Sequence, residues 1–271
     1  MVQNIGNIDK SKINEMIEES KRVYFKSNFC FLNQHNGLRL GAIHVFLGTS
    51  GSGKTTFTRS VIGDCARLNP DTIFMWQSEE CVDELAVGLH QGNYGDEALG
   101  KILGESEQDE PNLTEDDFLE RVIMTGAKIL IIDNITTSRF YADLKPSAQA
   151  DFIQKLKTFA FENNIAVIMI AHTRKQLSDN ANQLITEADI KGSSTITNLA
   201  NFFYILQRFQ HENLFFATLR IVKHRGQVVD EKFYLLEYER ETQSYKKDRQ
   251  IPFADIEGFM KQQNKAGTGK R

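Results

Sequence analysis

The chain has 271 residues, 41% of them hydrophobic, which is enough to bury the core of one large α/β domain. Charged residues make up 25%, and no run approaches the roughly 18 apolar residues of a membrane span, so the composition reads as soluble and cytoplasmic, with no membrane partner. The first thirty residues mix Lys10, Lys12, Lys21 and Arg22 with Glu15, Glu18 and Glu19, unlike a signal or transit peptide. Cys30, Cys65 and Cys81 are far apart, which argues against a zinc site or a disulfide framework. The net charge of −4 is uneven: Glu79 to Glu120 holds fourteen acidic residues against Lys101, and the remainder nets +9. That pattern suits a solvated acidic segment, or an acidic face turned away from a polyanion.

In chain order, residues 9–24 have helical spacing of Ile13, Met16, Ile17 and Val23 or Tyr24. Residues 42–48 (AIHVFLG) read as a buried strand running into a glycine loop, and Thr55–Leu68 as a helix. A second buried strand is expected at 72–77 and a helix from Cys81. Residues 93–120, rich in Gly, Asp and Glu, read as the least ordered stretch. Further buried strands follow at 128–133, 165–171 and 202–206, with an amphipathic helix over 148–163. Residues 175–194 read as a polar loop, residues 215–225 and 231–247 as a hairpin set, and the end as a polar tail. Alternating strands and helices predict an α/β fold with a mostly parallel sheet. The expected parse is an N-terminal helix or linker (1–30), one ATPase-type domain (31–250) and a C-terminal tail (251–271).

Gly48-Thr49-Ser50-Gly51-Ser52-Gly53-Lys54-Thr55 satisfies G-x-x-x-x-G-K-[ST] between a strand and a helix. Its glycines let backbone N–H groups turn towards phosphate oxygens, and the following helix adds its positive end. Lys54 is then a point charge for the β- and γ-phosphates of ATP or another nucleoside triphosphate. The Thr55 hydroxyl suits Mg²⁺, and Thr56 extends the cradle. Four aliphatic residues ending in Asp133 read as a strand that delivers a metal-binding acid. Glu79 and Glu80 follow the second strand; Glu79 is the candidate base for the attacking water. The alternative is that one of the two caps the next helix. His172, at a strand end, is either a γ-phosphate contact or a structural histidine.

These pieces, with "SEECVDELAVGLH", "ILIIDNI", "IMIAHTRK", "DIKGSSTITNLANFFYILQR" and "VKHRG…YLLEYERET", resemble the RecA-like helicase domain of DnaB-type replicative DNA helicases. The resemblance is nearest to the Twinkle and phage primase–helicase branch and covers about Gly41 to Tyr245. It implies a RecA-like P-loop NTPase core with C-terminal hairpin strands, acting as a hexameric ring on single-stranded DNA. It further implies Glu79 as base, Asp133 on the metal, and His172 as γ-phosphate sensor. Lys223 and Arg225 match a basic pair inserted into the neighbouring subunit's site, while Arg208 and Tyr238 match positions flanking adenine. "YLLEY" also reads as a core strand. DNA-contacting loops correspond to Thr136–Pro146 and Arg174–Ser194, with Arg174, Lys175, Lys191, Gly192 and Ser193 as backbone-gripping residues. Lys191 stands where the family motif has Arg. Residues 9–24 resemble, weakly, a helix that packs on neighbouring subunits. A separate primase, polymerase or loader belongs to the same context. The rival readings are a RecA-like recombination or annealing ATPase working as a filament, and a nucleotide-dependent interaction module with little turnover.

Overall fold

A computed structural model describes residues 25–256 except 36, 175–183, 193, 212–213 and 226–231, with scattered positions between 9 and 18. The expected helix over 9–24 and the tail beyond 256 lie largely outside the described residues. In order come α1 (Cys30–Asn33), β1 (Ile43–Gly48), α2 (Lys54–Leu68), β2 (Ile73–Gln77), α3 (Val82–Gln91), α4 (Asp96–Leu99) and β3 (Ile102–Ser106). Then follow α5 (Glu115–Met124), β4 (Ile129–Asp133), α6 (Pro146–Asn163), β5 (Ala166–His172) and α7 (Thr195–Leu199). The last four strands are β6 (Phe202–His211), β7 (Leu214–His224), β8 (Phe233–Glu239) and β9 (Ser244–Ile251).

All nine strands form one sheet in the order β3-β2-β4-β5-β1-β6-β7-β8-β9. Pairing is parallel from β3 through β6 and antiparallel from β6 to β9. β1, β2 and β4 are buried at every position and β5 at all but its last, which is why they read as continuous apolar runs rather than alternating ones. One face of the sheet packs Phe57, Val61 and Ile62 of α2 with Leu85 and Leu89 of α3. The other packs Phe118 and Val122 of α5 with Phe152, Ile153 and Leu156 of α6. Because every crossover returns to the same end, β1, β2, β4 and β5 all finish at one edge of the sheet, and that edge carries the nucleotide-type motifs.

The stretch 93–120 is not the unordered segment its composition predicts: it contains α4, β3 and the N-terminal half of α5. β3 is the edge strand and its residues are mostly half-exposed, so it lacks the buried run that marks the central strands. α5 starts conventionally, with the Thr114 hydroxyl accepting from Asp117 N at 3.2 Å and three acids in its first turn.

Two buried carboxylates fasten the segment before β1 to the core. Asp64, on α2, accepts from Ser27 Oγ at 2.7 Å, from Asn28 Nδ2 at 2.8 Å and from Asn28 N. Asp248, on β9, accepts from Cys30 N at 2.5 Å and Phe31 N at 3.0 Å, which satisfies the open end of α1. Phe25, Phe29 and Phe31 are buried in the α2-side core as a result. Asp248→Ala would strand two amide groups inside the protein. The expected loss is about 2–3 kcal/mol in chemical denaturation, against a few tenths for an exposed neighbour such as Lys247→Ala.

Candidate nucleotide site

The loop between β1 and α2 is shaped by backbone constraints that only glycine meets. Gly53 sits at φ 88°, and a Cβ on Gly48 would lie 2.7 Å from the Leu206 carbonyl oxygen of the neighbouring strand. α2 starts at Lys54 with no side-chain cap and no acid in its first turn, so its amide groups and positive end remain open to an anion. By contrast, α3 and α5 both carry acids there. Lys54 is buried and its Nζ donates to Thr49 O at 2.7 Å, which holds the ammonium across the loop.

Parallel register brings the other residues to the same edge. Gly48 lies beside His172, and Gln77 beside Asp133. Ser78 N donates to Asp133 O at 2.8 Å, and Ser78 Oγ to Asn134 O at 2.9 Å, so the ends of β2 and β4 are latched together. The Thr55 hydroxyl hydrogen-bonds the buried Asp133 carboxylate, whose Oδ2 has no partner among the described residues. Burial, with the nearby Glu80 and Glu79 charges, pushes Asp133 up to about 7 despite Thr55 and Lys54. Burial pushes Lys54 down to about 8, while Asp133 and Glu79 hold it up. A hydroxyl and an orphaned carboxylate oxygen beside a phosphate-type loop fit Mg²⁺, a hard cation satisfied by oxygen ligands and water.

Of the two glutamates, Glu79 is exposed at this edge, whereas Glu80 forms an ion pair with Arg59 of α2. Neither caps α3; Glu84 does, accepting from Cys81 N at 3.3 Å. His172 is fixed by Asn134, a residue the sequence reading gave no role. Asn134 Oδ1 accepts from Thr136 Oγ1, Thr137 N and Thr137 Oγ1, each at 2.9 Å, which leaves Nδ2 to donate to His172 Nε2 at 3.2 Å. The histidine must therefore be neutral with its proton on Nδ1. Burial and the Lys54 charge lower its pKa, in agreement.

Arg208 and Tyr238 lie at the same edge, on β6 and β8. Tyr238 is 49% exposed and packs edge-on against Tyr245, at 5.2 Å between centroids. The Tyr245 hydroxyl comes within 3.2 Å of where a Gly53 Cβ would stand, a neighbour of the loop that no sequence motif announced. Tyr245 also feels the Arg208 and Tyr238 charges, so the three are close.

Lys223 and Arg225 are elsewhere. Leu206, level with Gly48, pairs with Leu219, and β7 then runs away from the phosphate edge. The stretch from Leu219 to Arg225 covers roughly 20 Å at about 3.3 Å per residue. Both residues thus lie at the opposite end of the sheet, beyond reach of their own chain's loop. Lys223 Nζ donates to Thr197 O at 2.8 Å and Asn198 O at 3.1 Å at the end of α7, while Arg225 is exposed.

The predicted DNA loops are only partly available. Thr136 to Tyr141 is mostly buried and tied down through Ser138 Oγ to Glu107 at 2.6 Å, leaving 142–147 as the outward part. Arg174 spends its donors on Ile190 O at 2.7 Å and Gly192 O at 3.1 Å, closing the base of the second loop. Lys191 is exposed, and its backbone N donates to His172 O at 2.8 Å. Gly192 stands at φ 100° against the Tyr141 hydroxyl. Lys175 and Ser193 lie outside the described residues.

The charge pattern has a thermodynamic consequence in protein free of nucleotide and Mg²⁺. Asp133 holds its proton in the fold up to about 7 but releases it near 3.8 when unfolded, so the unfolded chain binds fewer protons between those values. Stability therefore falls as pH rises from about 4 to 7. Lys54 acts in the reverse sense between about 8 and its ordinary 10.5, where stability rises with pH. Asp133→Asn should remove the first slope and make the protein about 2–4 kcal/mol more stable than wild type at pH 8 in chelator, while abolishing ATP turnover. Guanidine titrations across pH check this; a flat wild-type profile from pH 4 to 7 would contradict it.

Comparison with known proteins places this geometry in a family. A family model described as "AAA domain" matches residues 33–178, more than half of the chain. No curated protein sequence matches. Among solved structures, the ATPase domain of a DnaB-type helicase superposes with a TM-score of 0.73 at 17% identity, covering 89% of this chain and 99% of that one. A KaiC-like protein, PH0186, from the hyperthermophilic archaeon Pyrococcus horikoshii OT3 gives 0.63 at 19% identity, covering 84% and 98%. At these identities the likeness is one of fold, and it is the RecA-like fold expected from the strand and motif order. Among the described residues no helix is long and apolar enough to cross a membrane. The chain belongs to the AAA domain family and is an ATP-hydrolysing P-loop enzyme with a RecA-like core.

Proposed function

We propose that the protein is a ring-forming, ATP-dependent DNA helicase motor whose hydrolytic sites lie between subunits. The observation that carries this reading is the separation of Arg225 from Lys54 across the length of the sheet. A phosphate loop with a base and a metal acid still lacks a cation to neutralise the transferring phosphoryl group. The exposed arginine able to supply it must come from a second copy packed head to tail.

In the proposed reaction, water attacks the γ-phosphorus in line as the bond to the β-bridging oxygen breaks. Glu79 takes the water proton, and ADP and phosphate are released. Lys54 and the amides of the loop hold the β- and γ-oxygens, and Arg208 and Tyr238 flank the base. Mg²⁺, bound by the Thr55 hydroxyl and through water by Asp133, would neutralise charge on the β- and γ-phosphates. His172, kept neutral by Asn134, donates from Nδ1 to the γ-phosphate. Its carbonyl holds Lys191, and Thr173 bridges Ile190, so a change at the γ-phosphate is passed to the loop that grips single-stranded DNA. Arg174 shapes that loop from within, and Lys191 offers the phosphate contact, joined in the proposal by Lys175, Gly192 and Ser193.

The same head-to-tail contact closes into a ring or opens into a filament, depending on its rotation. Electron microscopy with single-stranded DNA and a non-hydrolysable nucleotide separates the two: closed rings support the motor, helical filaments the pairing or annealing alternative. Strand displacement from a forked duplex tests unwinding directly. Arg225→Ala should lower turnover about a thousandfold with nucleotide binding retained, and Glu79→Gln should lower it about a hundredfold or more. Mixing the two inactive variants should restore part of the activity, because some interfaces then combine an intact Glu79 with an intact Arg225. Full turnover by Arg225→Ala alone would sink the shared site.

A further inference from the structure

Arg59 stands on α2 one turn beyond Thr55, on the helix that opens at the phosphate loop. Its side chain does not go to solvent. It crosses the surface of α3 at Gly88, where an added Cβ would lie 2.3 Å from Arg59 Nη1, and ends in the ion pair with Glu80. The side chains of Arg59 and Glu80 are 17% and 31% exposed, so the pair is screened less than a surface pair. Gly88 is therefore a groove in α3 that fits a guanidinium, and glycine in a helix interior costs about 0.5–1 kcal/mol relative to alanine. That cost is understandable if the path of Arg59 matters.

Glu80 adjoins Glu79, and the short loop that carries both is held at only two other points. Upstream, Ser78 is latched to Asp133 and Asn134; downstream, Cys81 N donates to Glu84. Arg59 is the third tie, and among these three it alone comes from the phosphate-binding helix. It also places a positive charge beside a group of carboxylates, Glu79, Glu80 and Asp133, whose mutual influence is evident at Asp133.

We infer that Arg59 is a positioning residue: by clamping Glu80 through the Gly88 groove, it sets where Glu79 stands relative to phosphate bound on the same helix. The inference rests on the reading of Glu79 as the water-activating base. It predicts a loss in kcat rather than in binding, since displacing a reacting group by about 1 Å can cost a hundredfold.

The test is steady-state ATP hydrolysis by the full chain, with thermal melting of each variant. Arg59→Ala and Glu80→Ala should each lower kcat about 10- to 100-fold with KM changed less than about threefold. The double variant should be no worse than either single one, and the exchange Arg59→Glu with Glu80→Arg should recover part of kcat. Gly88→Ala removes no functional group and should raise or preserve the melting temperature, yet it should lower kcat by displacing the guanidinium. Retained kcat in both Gly88→Ala and Arg59→Ala, or additive losses in the double variant, would overturn the clamp. Glu79→Gln in the same assay separates the two ideas. If it turns over normally, the base assignment falls; if it is inactive while Arg59→Ala is normal, only the clamp falls.

Discussion

A lysine and an aspartate share a water-poor site at the ends of β1 and β4, and neither is comfortable in its charged state there. Burial pushes Lys54 down and Asp133 up, and each is the other's relief. Charges placed so are costly to fold around and are stabilised by what binds: phosphate for the lysine, a metal ion for the aspartate. The remainder of the edge follows from keeping that pair in register. Ser78 latches β2 to β4, Asn134 holds His172, and Tyr245 fills the space beneath Gly53. Each contact fixes a strand end that would otherwise fray, so the cradle is stiff before any nucleotide arrives.

Topology supplies the second constraint. A sheet that was parallel throughout would deliver all its strand ends to the phosphate edge. The switch to antiparallel pairing at β6–β7 sends one strand back, and its end carries Lys223 and Arg225 to the far edge. Lys223 is then used locally to close α7, and Arg225 is left outward. The chain thus presents a phosphate-binding edge and a basic edge on opposite sides, the arrangement that head-to-tail association of identical copies requires.

The central strands and the phosphate loop were legible because their signals are local: doubly buried strands are continuous apolar runs, and the loop has fixed residue types at fixed spacing. β3 was illegible because an edge strand buries little, and the acidic residues around it resemble a solvated segment. Glu79 and Glu80 look alike in sequence; only the Arg59 partnership, between residues distant along the chain, separates them. Asn134 and Tyr245 were missed for the same reason, since their importance lies in what stands opposite them. The first DNA-type loop was overestimated because polarity and turn residues do not reveal that Thr136, Ser138, Phe140 and Tyr141 fold inward.

The two aspartates that hold Ser27 to Phe31 give the molecule a load path. Asp64 lies on the helix that starts at Lys54, about 15 Å further along its axis, and Asp248 belongs to the strand that carries Tyr245. A pull on the chain ahead of Ser27 would be borne by those two carboxylates and delivered to the elements lining the phosphate cradle. The attachment behaves as a rigid mount rather than a swivel, so mechanical work done on that segment and chemistry done at the loop are felt by the same helix.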